Sequence, residues 1–269
     1  RRLAPSRFQA RREASLIPMV GRSSEVALLQ SRWQTALDGE GQIVLLGGEP
    51  GIGKSRLSEA FTDSMEDQPS ITIRYQCSPL YENSAFFPFS HQLQHTARFA
   101  AEDTVQTKLD KLESLLRTTC ERDKALSLIG SLLSLPTDRY RQLALSPEER
   151  KVATINALVR ELEALSDDAP VLILFEDVHW IDPSSLELLR ALVDAAPSLP
   201  VMLLITHRPE FNSAWDAHRN VTALRLNRLP RRDGNTIVDE IAHGKTRPSL
   251  NGGRKLRVAR KARYSHLYW

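Results

Sequence analysis

The sequence has few cysteines and no long apolar segment, and each shortage excludes a class of protein. Cys77 and Cys120 are its two cysteines in 269 residues, and they lie far apart. A disulfide framework and a cysteine-based zinc module are therefore excluded, and this cysteine usage fits a reducing cytoplasm. The longest clean apolar runs, such as Val171 to Phe175, have about five residues, whereas a membrane-spanning helix needs about 20. The basic N-terminus has no apolar segment behind it, so we expect no secretory signal.

The chain also lacks the common signatures of zinc and nucleophile chemistry. Its seven histidines show no H-E-x-x-H or similar spacing, which argues against a zinc site. No G-x-S-x-G segment is present, and no Ser/His/Asp or Cys/His set can be argued from the sequence. The sequence therefore gives no support to covalent hydrolysis by a serine or cysteine.

Positive charge is concentrated at the two ends of the chain. The net charge is +3, but residues 1–12 carry five arginines and residues 245–269 carry eight Lys or Arg, both without any acid. Removing these thirteen charges leaves −10 for residues 13–244. A basic end is typical of a solvated linker and less often of a nucleic-acid arm. We expect a basic linker arm over 1–14, a globular domain over 15–244, and then a basic tail that cannot bury enough apolar surface to pack.

Short apolar runs alternate with long amphipathic segments in the globular domain, which predicts an α/β fold with a parallel sheet. Helices are predicted where apolar residues recur every three or four positions, and strands where they are continuous or alternate. The predicted helices cover residues 25–37, 54–65, 147–165, 183–193 and 231–242, and the predicted strands cover 42–46, 71–75, 171–175, 201–205 and 221–226. Residues 89–166 look mainly helical, so the second and third strands are separated by a helical insertion.

One segment carries a motif with a chemical mechanism. The residues from Gly48 to Ser55 match G-x-x-x-x-G-K-[ST], the phosphate-binding loop (P-loop), between a predicted buried strand and a predicted amphipathic helix. Glycines in such a loop let successive N–H groups point at phosphate oxygens, and the start of the helix adds its positive dipole end. Lys54 would reach the β- and γ-phosphates, and the Ser55 hydroxyl would be a ligand of Mg²⁺.

Two acids end the third predicted strand. Glu176 and Asp177 directly follow the apolar run that ends at Phe175. Adjacent carboxylates repel each other, so a buried strand that ends in two of them favours a nearby positive group such as a metal ion. Glu176 occupies the position of a Mg²⁺ ligand, and Asp177 the position of an acid that orients the attacking water. Which of the two binds the metal stays open.

The fourth predicted strand ends in a polar cluster that contains Arg208. The carboxyl ends of parallel strands meet at the edge of the sheet where ligands bind, so Arg208 is a candidate sensor of the γ-phosphate. The alternative is a surface arginine that pairs with an acid such as Glu210. His179 and Trp180, which follow the two acids, are interpreted as packing or positioning residues.

These segments together resemble a known family. The segments that carry the resemblance are Met19 to Glu25, Gly48 to Leu57, Phe175 to Ser184 and Thr206 to Phe211. In this order they resemble the AAA-type (origin-recognition-like) ATPase module of the signal-transduction ATPases with numerous domains, in the version that follows a nucleotide cyclase domain in large bacterial regulators. The resemblance covers residues 15–244. It implies a three-layer P-loop NTPase fold with a five-stranded parallel sheet in the order 5-1-4-3-2.

The resemblance also implies a function and a set of site residues. It implies ATP-dependent switching with Mg²⁺, a cyclase domain upstream and helical repeats downstream. It also implies a helical lid with a Gly-x-Pro-Leu segment after the last helix, where this chain instead reads Thr246 to Arg254. We therefore expect residues 245–269 to be either disordered or a truncated lid region, and ATP hydrolysis to be slow or absent. The implied catalytic residues are Glu176, Asp177 and Arg208, and the implied metal ligands are Ser55, Glu176 and Asp177. The implied nucleotide-binding residues are Val20, Gly21, Arg22, Gly48, Glu49, Pro50, Gly51, Ile52, Gly53, Lys54, Ser55 and Arg56.

Three other functions share some of these features. A DNA-linked ATPase of the origin-recognition or loader type shares the P-loop and the Val20-Gly21-Arg22 segment, but the charge of −10 on residues 13–244 disfavours nucleic acid as a partner. An interaction module with a vestigial nucleotide site is disfavoured by the intact Lys54 and Ser55. A small-molecule kinase is disfavoured because no acceptor-site signature can be identified.

Overall fold

The computed structural model describes residues 19–65, 68–118, 120–212, 215, 218–230 and 232. The predicted linker arm and basic tail lie outside the described residues, as does all but one residue of the helix predicted over 231–242. The three-segment division of the chain therefore stays a prediction.

A five-stranded parallel sheet forms the centre of the molecule. Its strands are β1 (Gln42–Gly47), β2 (Ile71–Gln76), β3 (Val171–Glu176), β4 (Val201–His207) and β5 (Val221–Arg225). The strand order is β2-β3-β4-β1-β5, with every pairing parallel. This is the predicted order 5-1-4-3-2 read from the other side, so the predicted topology is confirmed.

Seven α-helices are described around the sheet. They are α1 (Ser23–Leu37), α2 (Lys54–Asp63), α3 (Phe87–Thr96), α4 (Val105–Leu115), α5 (Arg122–Leu132), α6 (Pro147–Asp168) and α7 (Pro183–Ala195). Short 3₁₀ helices cover Val178–Trp180 and Ala196–Ser198. Helices α3 to α6 lie between β2 and β3 in the chain, which confirms the predicted helical insertion. None of the described helices is long and apolar enough to cross a membrane.

Burial on both faces explains the continuous apolar strands. Every residue of β1 and β3 is buried, whereas the outer strands β2 and β5 have mixed burial. Along β1, Val44 and Leu46 pack in the same core as Leu29 of α1 and Phe61 of α2. The alternate residues of the strand pack in a second core with α6 and α7. The sheet is therefore covered on two sides, as a three-layer fold requires.

Side-chain caps fix the residues at which α6 and α7 begin. Ser146 forms a capping box with Glu149, so α6 begins at the predicted position. Asp182 accepts a hydrogen bond from Ser185 N at 2.9 Å, as expected for the N-cap of α7, and a second from Phe86 N at 3.1 Å. The second bond holds the loop before α3 against the start of α7, beside the end of β3.

Candidate nucleotide site

The P-loop between β1 and α2 has the backbone shape that its glycines predict. Gly51 and Gly53 have φ values of 75° and 105°, in the left-handed region that glycine adopts without strain. Gly48 serves a different purpose, since a Cβ there would lie 2.9 Å from the side chain of Ile52. The base of the loop is held by hydrogen bonds from Gly48 N to His207 O and from Leu226 N to Gly47 O. The loop is thus fixed between β4 and the chain after β5.

Lys54 is the first residue of α2, and its ammonium is buried under the loop. The Nζ atom donates to the carbonyl oxygens of Gly48 at 2.6 Å and Glu49 at 3.1 Å. Burial lowers the pKa of Lys54 from its ordinary value, and the carboxylate of Asp177 opposes this shift. Ser55 and Arg56 follow in the first turn of α2, so all three side chains start from the end of the helix that carries positive dipole charge.

The two acids after the apolar run of β3 have different neighbours. Glu176 ends the strand, is 5% exposed, and its Oε1 lies 4.0 Å from Nη1 of Arg74 on β2. Asp177 has a left-handed backbone with φ 56° and ψ 43°. Its N–H donates to Thr206 Oγ1 at 2.9 Å. The backbone at Asp177 is thus held by β4, while Glu176 has a cationic neighbour on β2.

Arg208 lies next to both a carboxylate and an aromatic ring. Its Nη1 atom is 3.8 Å from Oε1 of Glu210, the acid that the sequence offered as an alternative partner. Its guanidinium carbon lies 5.3 Å from the centre of the Trp180 ring. The positive charge of Arg208 is also near enough to Lys54 and His179 to help lower the pKa of each, after burial as the main cause. Arg208 therefore lies near Lys54 of the P-loop.

Met19 to Arg22, here called the lead-in segment, is bonded to the chain that follows β5. Arg22 is 7% exposed; its Nη1 donates to Glu25 Oε1 at 2.8 Å and its Nη2 donates to the carbonyl of Asn227. Asn227 directly follows Leu226, which is bonded to Gly47. The guanidinium of Arg22 thus joins the lead-in segment to the P-loop through the chain after β5.

The structure brings the predicted site residues to one edge of the sheet. The P-loop, Glu176, Asp177 and Arg208 all follow the carboxyl ends of strands, and the lead-in segment adjoins them. Sequence reasoning missed the contacts of Thr206 and Arg74. Thr206 could have been found from the pairing of β3 with β4, because Ile205 lies opposite Phe175 and the next residue along β4 then faces the acids.

The family of the chain follows from a match to known sequences. The sequence model for the AAA ATPase domain matches residues 18–205, which is more than half of the chain. The chain belongs to this family of P-loop nucleotide-binding modules. A curated relative, an uncharacterized protein of Rhizobium meliloti (strain 1021), is 31% identical over 212 residues, which are 79% of this chain and 20% of the relative. The chain thus spans about a fifth of the length of that relative.

Two solved structures are similar to this chain at low sequence identity. One is a chain of the E. coli MS115-1 HORMA:CdnC:Trip13 complex, with a TM-score of 0.47, 14% identity, and coverage of 92% of this chain and 75% of that chain. The other is a chain of Drosophila ORC bound to DNA, with a TM-score of 0.45, 13% identity, and coverage of 83% and 47%.

Proposed function

We propose that this chain is an ATP-binding regulatory module that switches with Mg-ATP binding and slow hydrolysis. The observation that supports this most is the P-loop itself, in which two left-handed glycines lead into a helix whose first residue is the buried Lys54. That arrangement presents backbone N–H groups and one ammonium to a polyphosphate. In the proposal, Gly48 to Arg56 hold the phosphates, with Lys54 at the β- and γ-phosphates.

The oxygen donors of the site fit Mg²⁺. Ser55 offers a hydroxyl, and Glu176 and Asp177 offer carboxylates, which are the hard ligands that Mg²⁺ prefers. Within the described residues no group of three or more His, Cys, Asp or Glu side chains could hold a metal by itself. This agrees with Mg²⁺, which is usually bound by one or two carboxylates together with substrate phosphates. When bound, Mg²⁺ would neutralise charge on the β- and γ-phosphates.

The side chains around the γ-phosphate have separate proposed roles. Asp177 would orient the attacking water, since its backbone is fixed by Thr206 and its charge acts on Lys54. Glu176 would hold the metal. Arg208 would sense the γ-phosphate from the end of β4. Val20, Gly21 and Arg22 of the lead-in segment would lie near the adenine.

The setting of the module in a longer protein is part of the proposal. The resemblance to modules that follow a cyclase domain suggests such a domain upstream and helical repeats downstream, as partners of the switch. We expect the module to work in the cytoplasm, which agrees with its two cysteines, one buried and one exposed and both free. The charge of −10 on residues 13–244 disfavours nucleic acid as the partner.

Binding of labelled ATP and ADP, with and without Mg²⁺, tests the proposal directly. Lys54→Ala removes the one ammonium under the loop and should weaken ATP binding by about 2 kcal/mol or more, which is about 30-fold. Lys124→Ala is the matched control, because Lys124 is paired with Glu121 on the surface of the insertion. Lys124→Ala should bind ATP as tightly as the wild type does.

Two outcomes would overturn the proposal. If the wild type binds neither ATP nor ADP, the module is not a nucleotide switch. If Lys54→Ala binds ATP as tightly as the wild type, the P-loop assignment is wrong. Tight, salt-dependent binding of duplex DNA by the wild type would favour the DNA-linked alternative.

A further inference from the structure

Trp180 is half-buried and lies beside Arg208, on the side of the site where the phosphates are proposed to bind. It ends the 3₁₀ helix that directly follows Asp177, and its N–H donates to Asp177 O at 2.9 Å. Its ring packs against the core that covers one face of the sheet. The orientation of Trp180 is therefore coupled to the backbone of the acid that is proposed to orient water.

Arg208 has two competing neighbours, the ring of Trp180 and the carboxylate of Glu210. A guanidinium within about 6 Å of an indole centre is attracted to the ring face, and its planar shape favours stacking. The distance of 5.3 Å meets this condition. The contact with Glu210 is longer than a hydrogen bond at 3.8 Å, and the side chain of Glu210 is 65% exposed. Such an exposed pair contributes little and is easily exchanged for another anion.

We infer that Trp180 is a positioning residue that holds Arg208 toward the γ-phosphate, and that Glu210 is the anion that the γ-phosphate replaces. This inference rests on the proposed function. The γ-phosphate group carries more charge than the carboxylate of Glu210, and two of its oxygens can accept the planar fork of the guanidinium in two hydrogen bonds. The ring of Trp180 can keep its contact during this exchange, because stacking leaves the N–H groups at the rim of the guanidinium available. ADP has no γ-phosphate, so Arg208 held by Trp180 would discriminate ATP from ADP.

The consequence is a specific pattern of nucleotide affinities. Trp180→Leu removes the ring face and should weaken ATP binding about three- to tenfold, while ADP binding stays unchanged. Trp180→Phe keeps a ring and should lose less. Glu210→Gln removes the competing carboxylate and should strengthen ATP binding up to about threefold, again without an effect on ADP. If Trp180 had a purely structural role, its substitution would not change the ratio of ATP affinity to ADP affinity.

A double-mutant cycle tests whether Trp180 acts through Arg208. Arg208→Lys keeps the charge but loses the planar fork, so it should weaken ATP binding as well. If the ring of Trp180 acts through the guanidinium of Arg208, the double variant Trp180→Leu/Arg208→Lys should bind ATP only slightly more weakly than Arg208→Lys alone. Intrinsic fluorescence gives an independent readout, because an exchange at Arg208 should change Trp180 emission on ATP but not on ADP. This change should be absent in Trp180→Phe.

The experiment separates failure of this inference from failure of the proposed function. If the wild type does not bind nucleotide, the proposed function is wrong. If the wild type binds nucleotide but the ATP-to-ADP affinity ratio is the same in Trp180→Leu and wild type, Trp180 does not position Arg208. Should Trp180→Leu fail to fold in thermal unfolding, the ratio in Trp180→Phe and Glu210→Gln decides, and no shift in either overturns the inference.

Discussion

The turns after β1 and after β3 lie at the same edge of the sheet but satisfy their polar groups differently. In the P-loop the left-handed positions are glycines, and the buried ammonium of Lys54 donates to two carbonyls of its own loop. In the turn after β3 the left-handed position is Asp177. Both ring nitrogens of His179 are buried there without a hydrogen-bond partner among the described residues.

The difference separates a turn whose left-handed positions are free of strain from one that stores strain. A left-handed aspartate costs more than a left-handed glycine, and a buried polar atom without a partner is costly as well. Such features persist at functional sites, where they are part of a switch. We therefore expect nucleotide binding to leave the P-loop nearly unchanged and to rearrange the turn after β3.

The largest expected effect concerns turnover and distinguishes the two acids. Asp177→Asn keeps the left-handed backbone, which Asn tolerates, but removes the carboxylate that would polarise water. ATP should still bind, and any hydrolysis should fall about 100-fold or more. Glu176→Gln should instead weaken the Mg²⁺ dependence of ATP binding. Phosphate release and calorimetry measure the two effects, and wild-type hydrolysis by Asp177→Asn would show that the roles are wrongly divided.

A smaller effect is expected where β4 supports the turn after β3. Thr206→Val deletes the acceptor of the Asp177 N–H inside the protein, which should lower the free energy of unfolding by about 1–3 kcal/mol. Thr206→Ser keeps the oxygen and is the control. Urea denaturation measures both variants. A loss in Thr206→Ser without a loss in Thr206→Val would mean that the methyl group, and not the hydrogen bond, supports the turn.

Substitution of Gly51, one of the two left-handed glycines of the P-loop, should change the free energy of unfolding by about 1 kcal/mol. Nothing lies within 4 Å of a Cβ added at Gly51, so Gly51→Ala tests backbone conformation alone. We expect Gly51→Ala to lower the free energy of unfolding by about 1 kcal/mol, and Gly51→Asn to lower it less. Chemical denaturation checks the order. An alanine variant as stable as the wild type would remove the contrast between the two turns.

The smallest expected effect concerns Glu149 of α6, which is remote from both turns and serves as a reference for them. Hydrogen bonds from the backbone and side chain of Ser146 lower the pKa of Glu149 below its ordinary value, so its charged form is favoured in the folded state. This contribution is complete above that value and is lost as the pH falls through the lower folded pKa. Glu149→Gln should therefore show a smaller drop in melting temperature between pH 7 and pH 3 than the wild type. Nucleotide affinity at pH 7 should not change.

The parts that the sequence predicts are those with local causes. The motif fixed the P-loop, and unbroken apolar runs placed the central strands to within one or two residues. The first three helices of the insertion, α3 to α5, could not be separated in the same way, because their ends depend on distant residues. Glu161 of α6, for example, accepts hydrogen bonds from Arg117 N and Thr118 N, just past the end of α4. No signal near residue 117 announces a carboxylate more than 40 positions away.

The site shows the same division between local and distant causes. The sequence places Glu176, Asp177 and Arg208 at the ends of strands, and the confirmed strand order brings those ends together. It does not indicate that Arg74 faces Glu176, since that contact needs the register of β2 against β3. Likewise, the position of Trp180 beside Arg208 depends on a 3₁₀ turn that apolar periodicity does not predict.

The position of β1 in the sheet has a consequence for how the protein is made. β1 pairs only with β4 and β5 among the described strands, although β2 and β3 precede both in the chain. At about 5–20 residues per second, a ribosome needs about 8–30 s to make the roughly 150 residues between β1 and β4. During that time the apolar residues of β1 have no strand to pair with. The nascent chain should therefore be most prone to aggregation, and most dependent on chaperones, until β4 has left the ribosome.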